Sequence, residues 1–242
     1  MIIRTCILLL ALLAWEINLF AQRDDIVLTK EKKEFAFNSI KELKNGVLVV
    51  RLKTNQRKIE ILERTLRDPN LTKQQRKRHQ NILEGTIRSR DEFNQAIGKM
   101  FEEAFSFCPV YLMYDTNSTA LTNGETKGLF LNKKGELDET IELESTNVFI
   151  VNYKKRSAEF PFDILRVRKL KEKLEDPFPY YVAIRESWIN QVNTPRAAAA
   201  VTQLDKKMAS FYQRALDYDK KLAERAARNA ANKAANAKKV EG

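Results

Sequence analysis

The sequence predicts an α/β or α+β fold with a small mixed sheet of about four to five strands, and three observations support this class. Short apolar runs rich in Val, Ile, Phe and Tyr recur along the chain. A long stretch without proline follows the first of these runs and has the spacing of amphipathic helix. A second long helical pattern occupies the C-terminal part. The expected architecture is therefore a sheet with an inserted helical hairpin and a long C-terminal helix.

The apolar runs bounded by turn residues predict the strands. We expect strands over 46–53, 109–114, 128–131, 147–153 and 180–184, with a hairpin loop over 132–135. Pro177 and Pro179 precede the last strand and predict that it lies at an edge of the sheet or near a turn. Between the last two strands, the spacing of apolar residues predicts a short helix over 162–174.

Helical patterns surround the first strand. One runs from about residue 22 to Asn45-Gly46, which is a good helix exit because both residues tolerate the left-handed conformation. The next predicts a hairpin over 56–105, with a break at Pro69 and a helix capped by Thr72. The second hairpin helix would have about 34 residues and a length of roughly 50 Å. It exceeds its partner in length, so we expect its far half to lie on the sheet.

The C-terminal helix carries an apolar seam at alternating spacings of three and four. The seam consists of Val201, Leu204, Met208, Phe211, Ala215, Tyr218 and Leu222. It would pack against the chain's own long helix or against a second copy. The segment 226–239 contains only Ala, Asn, Lys and Arg, which have almost nothing to bury, so it predicts a solvated tail. We divide the chain into a signal peptide (1–21), an α/β domain (22–196) and a helical arm (197–242).

The N-terminus has the pattern of a cleavable secretory signal peptide. Arg4 precedes an apolar stretch over 6–15, and Ala21 provides the small residue before cleavage. The apolar stretch is about half the length that a membrane-spanning helix needs, so we expect no transmembrane segment after cleavage. The predicted location is the periplasm of a Gram-negative bacterium, with an extracellular location as the alternative.

Composition excludes several classes of chemistry. Cys108 is the only cysteine after the predicted cleavage, so the mature chain forms no internal disulfide. His79 is the only histidine, and it lies in a charged run with no partner nearby in sequence, which argues against Ser-His-Asp, Cys-His and zinc sites. The glycines do not form a phosphate-binding loop. We predict no metal and no cofactor.

The net charge of +11 indicates which kinds of partner to expect. In an envelope, a basic protein meets acidic proteins, lipid head groups and glycans before it meets nucleic acid. We expect an envelope protein partner, with an anionic membrane or wall polymer as a further partner, and we consider nucleic acid unlikely to be one.

Carboxylates are the remaining candidates for catalysis, since two of them suffice to hydrolyse a glycosidic bond. Asp115 follows a predicted strand, while Glu142 and Glu144 are two residues apart on a predicted extended segment and would share one face. The alternative for Asp115 is a turn or helix cap, and sequence separation does not show whether the three meet.

Two groups of residues are candidates for binding. Arg76, Lys77 and Arg78 would form a basic tip on the helical hairpin, unless they are only a solvated helix face. Phe178, Tyr180 and Tyr181 belong to an aromatic and proline cluster that also includes residues 160–162. Such a cluster packs a sheet edge or lines a groove for a glycan or peptide.

Three short segments carry a resemblance to a known group. LVVRLKTNQRK at 48–58, YLMYD at 111–115 and PFPYYV at 177–182, together with a signal exit before Gln22, resemble exported proteins of unknown function from the Bacteroidota. The resemblance implies a Gram-negative periplasm and implies no activity or binding residue.

These observations favour a non-enzymatic periplasmic or envelope-associated protein that binds a partner or acts as a scaffold through its hairpin or C-terminal arm. The alternative is a carboxylate-based cell-wall glycan hydrolase or a glycan-binding module.

Overall fold

The computed structural model describes residues 29–132, 134–155, 157–158, 162–184 and 195–240, with the side chains of the last helix described over 198–233. The predicted signal peptide, and Phe160 and Pro161 of the aromatic and proline cluster, lie outside the described residues. The chain divides into two compact units, Met1–Phe35 and Ala36–Gly242.

The described residues form five helices and six strands. The helices are α1 (Lys30–Lys44), α2 (Gln56–Leu66), α3 (Lys73–Ala104), α4 (Ser118–Thr122) and α5 (Pro195–Val240). The strands are β1 (Val47–Leu52), β2 (Val110–Tyr114), β3 (Phe130–Leu131), β4 (Val148–Lys154), β5 (Asp163–Lys169) and β6 (Tyr181–Ile184). No described helix combines the length and the apolar character needed to cross a bilayer.

The six strands form one mixed sheet in the order β3-β2-β1-β4-β5-β6. β1 lies between parallel neighbours, because it pairs with β2 on one side and with β4 on the other. The pairs β2–β3, β4–β5 and β5–β6 are antiparallel. The predicted mixed α/β fold is confirmed, and β6 lies at an edge as its preceding prolines indicate.

The prediction of a helix over 162–174 is wrong, since Asp163–Lys169 is strand β5. Leu165 and Val167 face the core, while Arg166 and Arg168 alternate with them. Pairing with the buried strand β4 selects this period of two over the helical spacing. The sheet therefore has one strand more than expected.

The first face of the sheet is covered by α1, α3 and α5. Leu48 and Val50 of β1 and Phe149 of β4 pack here with Phe101 of α3. The far half of α3 thus lies on the sheet, as its length predicted. Phe211 of α5 is buried in the same cluster, so the C-terminal helix packs on its own chain.

The seam of α5 is buried over most of its predicted length. Val201, Leu204, Met208, Phe211 and Ala215 are all buried. Tyr218 is partly buried, with its ring 5.2 Å from that of Phe37 in α1. Leu222 is 37% exposed, so the contact ends near Tyr218. Of the two alternatives for the seam, packing within the chain rather than against a second copy is the one observed.

A smaller core covers part of the second face. Val49 and Ile150 of the central strands pack with Met113, Leu121 and Phe130. This core lies over β1, β2, β3 and β4, and the strands β5 and β6 contribute no fully buried residue to it.

In the hairpin of α2 and α3, the first helix lies outside the core. α2 has no buried residue, although α3 buries Leu83, Thr86 and Phe93. Thr72 caps α3 with a capping box in which its hydroxyl accepts from the Gln75 N–H, at 3.2 Å.

Candidate functional site

The carboxyl ends of β1, β2 and β4 meet at one edge of the sheet, because these three strands run parallel. The chain leaves β1 for β2 on one side, while β4 lies on the other side of β1. In open α/β sheets, such a change of direction opens a crevice beyond the strand ends, where ligands bind. The residues at this edge are therefore the first candidates for a site.

Asp115 lies at this edge, directly after β2. Its carboxylate accepts a hydrogen bond from the Thr54 N–H at 3.0 Å and another from the Thr54 hydroxyl at 2.6 Å. These bonds join the end of β2 to the loop after β1 and fix the start of α2. The interpretation of Asp115 as a turn residue therefore agrees with its bonds.

A cavity of about 1040 Å³ opens beside Asp115, and we call it the hairpin groove. Its walls are α2 of the hairpin, the end of β1 and the segment after β2. It is lined by Arg51, Thr54, Asn55, Gln56, Arg57, Lys58, Glu60, Ile61, Arg64, Asp115, Thr116 and Ser118.

The hairpin groove combines positive charge with an apolar side chain. Its lining includes four cationic side chains and two carboxylates. Glu60 already accepts a hydrogen bond from Gln56 at 2.8 Å, and Asp115 is bonded to Thr54. Ile61 is 51% exposed within the groove. The groove is suited to an acidic segment that also presents an apolar side chain.

The two other candidate carboxylates lie elsewhere. Glu142 is exposed and forms an isolated β-bridge with Lys127. Glu144 is exposed, and its charge adds to burial in raising the pKa of Tyr111. Tyr111 is near the start of β2 and Asp115 follows its end, a separation of about 13 Å along an extended strand. The structure thus does not bring Glu144 and Asp115 into one site.

The residues of the predicted basic tip have two different roles. The Arg76 guanidinium donates to the Leu66 carbonyl and to the Asp68 carbonyl, the latter at 2.9 Å. Arg76 therefore closes the hairpin turn by capping the end of α2. Lys77 and Arg78 line a shallow cavity of about 550 Å³ next to the exposed Ile82.

The aromatic candidates also differ in their exposure. Phe178 is only 1% exposed and stacks on Phe149 in the core, with ring centroids 6.5 Å apart. Tyr180 and Tyr181 are partly buried at the edge of the sheet, with ring centroids 5.1 Å apart. The Arg166 guanidinium lies 5.9 Å from the centre of the Tyr180 ring. Of the three, only the two tyrosines are partly exposed.

Beside Arg166 lies a group of basic side chains from β4, β5 and the loop after β5, and we call it the basic sheet face. It includes a cavity of about 470 Å³. Its charged lining consists of Lys154, Arg166, Arg168, Lys169, Lys171, Lys173 and Glu172. The sequence does not predict this surface, because the apolar spacing over 162–174 indicates a helix there. The alternation of Arg166 and Arg168 with Leu165 and Val167 was the signal that could have revealed it.

A polar cluster surrounds Lys53, which directly follows β1 at the edge where the parallel strands end. Its Nζ is 4.6 Å from the ring centre of Phe93 and 4.3 Å from that of Tyr153. Burial, followed by the charge of Lys155, lowers the pKa of Lys53 to about 8, while the charge of Asp163 opposes the change. Asp163 is buried and accepts a hydrogen bond from the Tyr153 hydroxyl. Burial, followed by this bond, raises the pKa of Tyr153.

No family model matches this chain, and neither does any curated protein or solved structure.

Proposed function

We propose that this chain is a non-enzymatic protein of the bacterial envelope that binds a partner protein through the hairpin groove. The groove supports this proposal because it lies at the carboxyl ends of β1 and β2 and combines an exposed apolar residue with cationic walls. The partner segment that fits is acidic and places an apolar side chain against Ile61.

The observation that carries the proposal is the exposure of Ile61. Ile61 is 51% exposed in the lining of a large groove, and a partner that covered it would remove this apolar surface from water. Arg57, Lys58 and Arg64 come from the same helix and line the same groove. An apolar residue next to charged side chains is typical of protein interfaces.

The envelope location is part of the proposal and derives from the sequence. The signal-peptide pattern before Gln22 and the resemblance to exported Bacteroidota proteins both favour it. The net charge of +11 favours weak, salt-dependent contact with an anionic membrane or wall polymer.

The hydrolase alternative has no comparable observation in its favour. The Asp115 carboxylate is held by two hydrogen bonds from Thr54. Glu142 and Glu144 do not line the hairpin groove. We therefore do not carry this alternative further.

Affinity capture from the native host tests the proposal. The chain is tagged after Gly242, mildly cross-linked, and compared with Ile61→Asp and Ile82→Asp. Ile82 is the matched control, because it is also an exposed isoleucine of the hairpin but lies outside the groove. We expect one reproducible envelope protein with the native chain and with Ile82→Asp, and at least about a tenfold loss with Ile61→Asp.

Two results would overturn the proposal. One is recovery of the same protein by all three chains. The other is recovery of the tagged chain with Met1 intact from the cytoplasm, which would remove the envelope location.

A further inference from the structure

The last part of α5 is exposed, and we call residues 219–240 the basic tail. The seam of α5 is buried up to Ala215, and Tyr218 makes the last ring contact of the helix, with Phe37. Every side chain described over 219–233 is exposed. The geometry of an α-helix gives the basic tail a length of about 33 Å. The described part of the chain thus leaves this length of helix uncovered.

The charge of the basic tail is mostly positive and has little compensation within the chain. Between residues 220 and 240, the sequence contains seven Lys and Arg residues and one acidic residue, Glu224. Asp219 is paired with Lys41 at 3.0 Å. Five of the seven cationic side chains are described, and none of these five forms an ion pair or hydrogen bond with the described residues; they are Lys220, Lys221, Arg225, Arg228 and Lys233.

Three of these cations share one side of the helix. Lys221, Arg225 and Arg228 follow one another at spacings of four and three, so they lie within about 60° of one another around the helix axis. Ala226 and Ala227 lie on the other side. A flat anionic surface can therefore contact all three cations at once.

We propose that the basic tail binds a bilayer of anionic phospholipids by lying along its surface. This inference rests on the envelope location in the proposed function, because that location brings a membrane within reach. It does not depend on the hairpin groove, since the basic tail belongs to α5 and the groove to α2 and the sheet edge.

The composition of the basic tail favours a lipid surface over a protein or a single-stranded nucleic acid. Protein interfaces are depleted in Lys and bury large apolar side chains, whereas the tail has only Leu222 and Val240 larger than Ala among its apolar residues. It has no aromatic ring on which a base could stack. A phospholipid surface needs neither, because its attraction depends on the number of Lys and Arg residues near it.

Co-sedimentation of the purified chain beginning at Gln22 with lipid vesicles tests the proposal. Vesicles of phosphatidylcholine alone are compared with vesicles of phosphatidylcholine and phosphatidylglycerol in equal amounts. We expect binding to the mixed vesicles that weakens as salt rises, and no binding to phosphatidylcholine alone. Binding of the same strength to both kinds of vesicle would overturn the proposal.

A triple variant with Lys221→Gln, Arg225→Gln and Arg228→Gln should weaken binding to the mixed vesicles at least about thirtyfold, because each Lys or Arg near an anionic surface contributes about fivefold.

The matched control combines Arg67→Gln, Lys73→Gln and Arg88→Gln, which remove the same residue types. These three are exposed in the hairpin and line none of the three cavities. The control should weaken binding by less than about fivefold. An equal loss in the two triple variants would overturn the proposal, because net charge alone would then explain the binding.

A variant of unchanged composition tests the shared side of the helix. It combines Arg225→Ala with Ala226→Arg, and Arg228→Ala with Ala227→Arg, which moves two cations away from Lys221. Binding should weaken at least about fivefold, and unchanged binding would contradict the proposed orientation. Tighter binding of the native chain to duplex DNA than to the mixed vesicles would also overturn the proposal.

Failure of this proposal and failure of the hairpin groove are distinguishable. Ile61→Asp should bind the mixed vesicles as the native chain does. The triple variant of the basic tail should still capture the partner protein.

Discussion

Gly46 shows how a single residue determines the approach of two elements. It joins α1 to β1, and its N–H donates to the Leu43 carbonyl at 3.2 Å. A Cβ atom at this position would overlap the Asn147 carbonyl oxygen and lie 2.7 Å from the Glu42 carbonyl oxygen. Both neighbours are backbone atoms, so neither can move without shifting α1 or the start of β4.

We predict that Gly46→Ala lowers the free energy of unfolding by about 3 kcal/mol, because the added methyl group overpacks this junction. Gly85→Ala is the control, since a Cβ there meets nothing within 4 Å. Gly85 lies within α3, where alanine should raise the free energy of unfolding by about 0.5–1 kcal/mol. Urea denaturation measures both changes. Equal effects in the two variants would contradict the described junction.

Lys53 should make stability depend on alkaline pH. Its pKa is lowered from 10.5 to about 8 in the folded chain, chiefly by burial. Between these values, the unfolded chain binds more protons than the folded chain, so the contribution of Lys53 to the free energy of unfolding rises with pH. Well below pH 8, Lys53 is protonated in both the folded and the unfolded chain, so its contribution to the free energy of unfolding is constant.

We predict that the native chain gains more stability between pH 7.5 and pH 10 than Lys53→Met does. Lys99→Met removes an exposed lysine of α3 and serves as the control. Urea denaturation at the two pH values gives the difference. If Lys53→Met shows the same rise as the native chain and the control, Lys53 does not have the lowered pKa.

At the scale of elements, the long periodic helices and the apolar strands bounded by turn residues were predictable, and strand β5 was not. The seam of α5 and the hairpin of α2 and α3 repeat over many residues, so their period is unambiguous. In β5 and the residue after it, Ile164, Val167 and Leu170 follow a helical spacing, while Leu165 and Val167 follow a strand spacing. Only pairing with β4 decides between the two, and that pairing is not visible in the local sequence.

A carboxylate on α5 fixes that helix to the connection between α3 and β2. Asp205 Oδ1 accepts hydrogen bonds from the Ser106 N–H at 2.7 Å and from the Phe107 N–H at 2.8 Å. The sequence offered no reason to single out Asp205, because its partners are about 98 residues away.

We predict that Asp205→Ala lowers the free energy of unfolding by about 2 kcal/mol, since the half-buried Phe107 N–H loses its acceptor. Asp217→Ala is the control, because Asp217 is exposed on the same helix and accepts only a local bond from Gln213, at 3.1 Å. Its effect should stay within about 0.5 kcal/mol. Thermal unfolding of the two variants tests this, and similar midpoints would contradict the role of Asp205.

At the scale of the whole molecule, the two candidate surfaces depend on the order of the strands. The hairpin groove exists because β1 and β2 are parallel, so that Arg51 and Asp115 come to the same edge as α2. The basic sheet face exists because β5 is antiparallel to β4 and exposes Arg166 and Arg168 beside Asn152. Neither pairing follows from local sequence, so Asp115 was identified as a candidate without its neighbours, and the basic sheet face was missed.

The hairpin groove as the site of partner binding is the central claim, and site-specific photo-cross-linking in the native host tests it most directly. A photoreactive residue replaces Ile61 in one chain and Ile82 in another, both exposed positions of the hairpin. The account predicts a cross-link from position 61 to one envelope protein and none to that protein from position 82. Cross-links of equal yield to the same protein from both positions, or none from position 61, would contradict it.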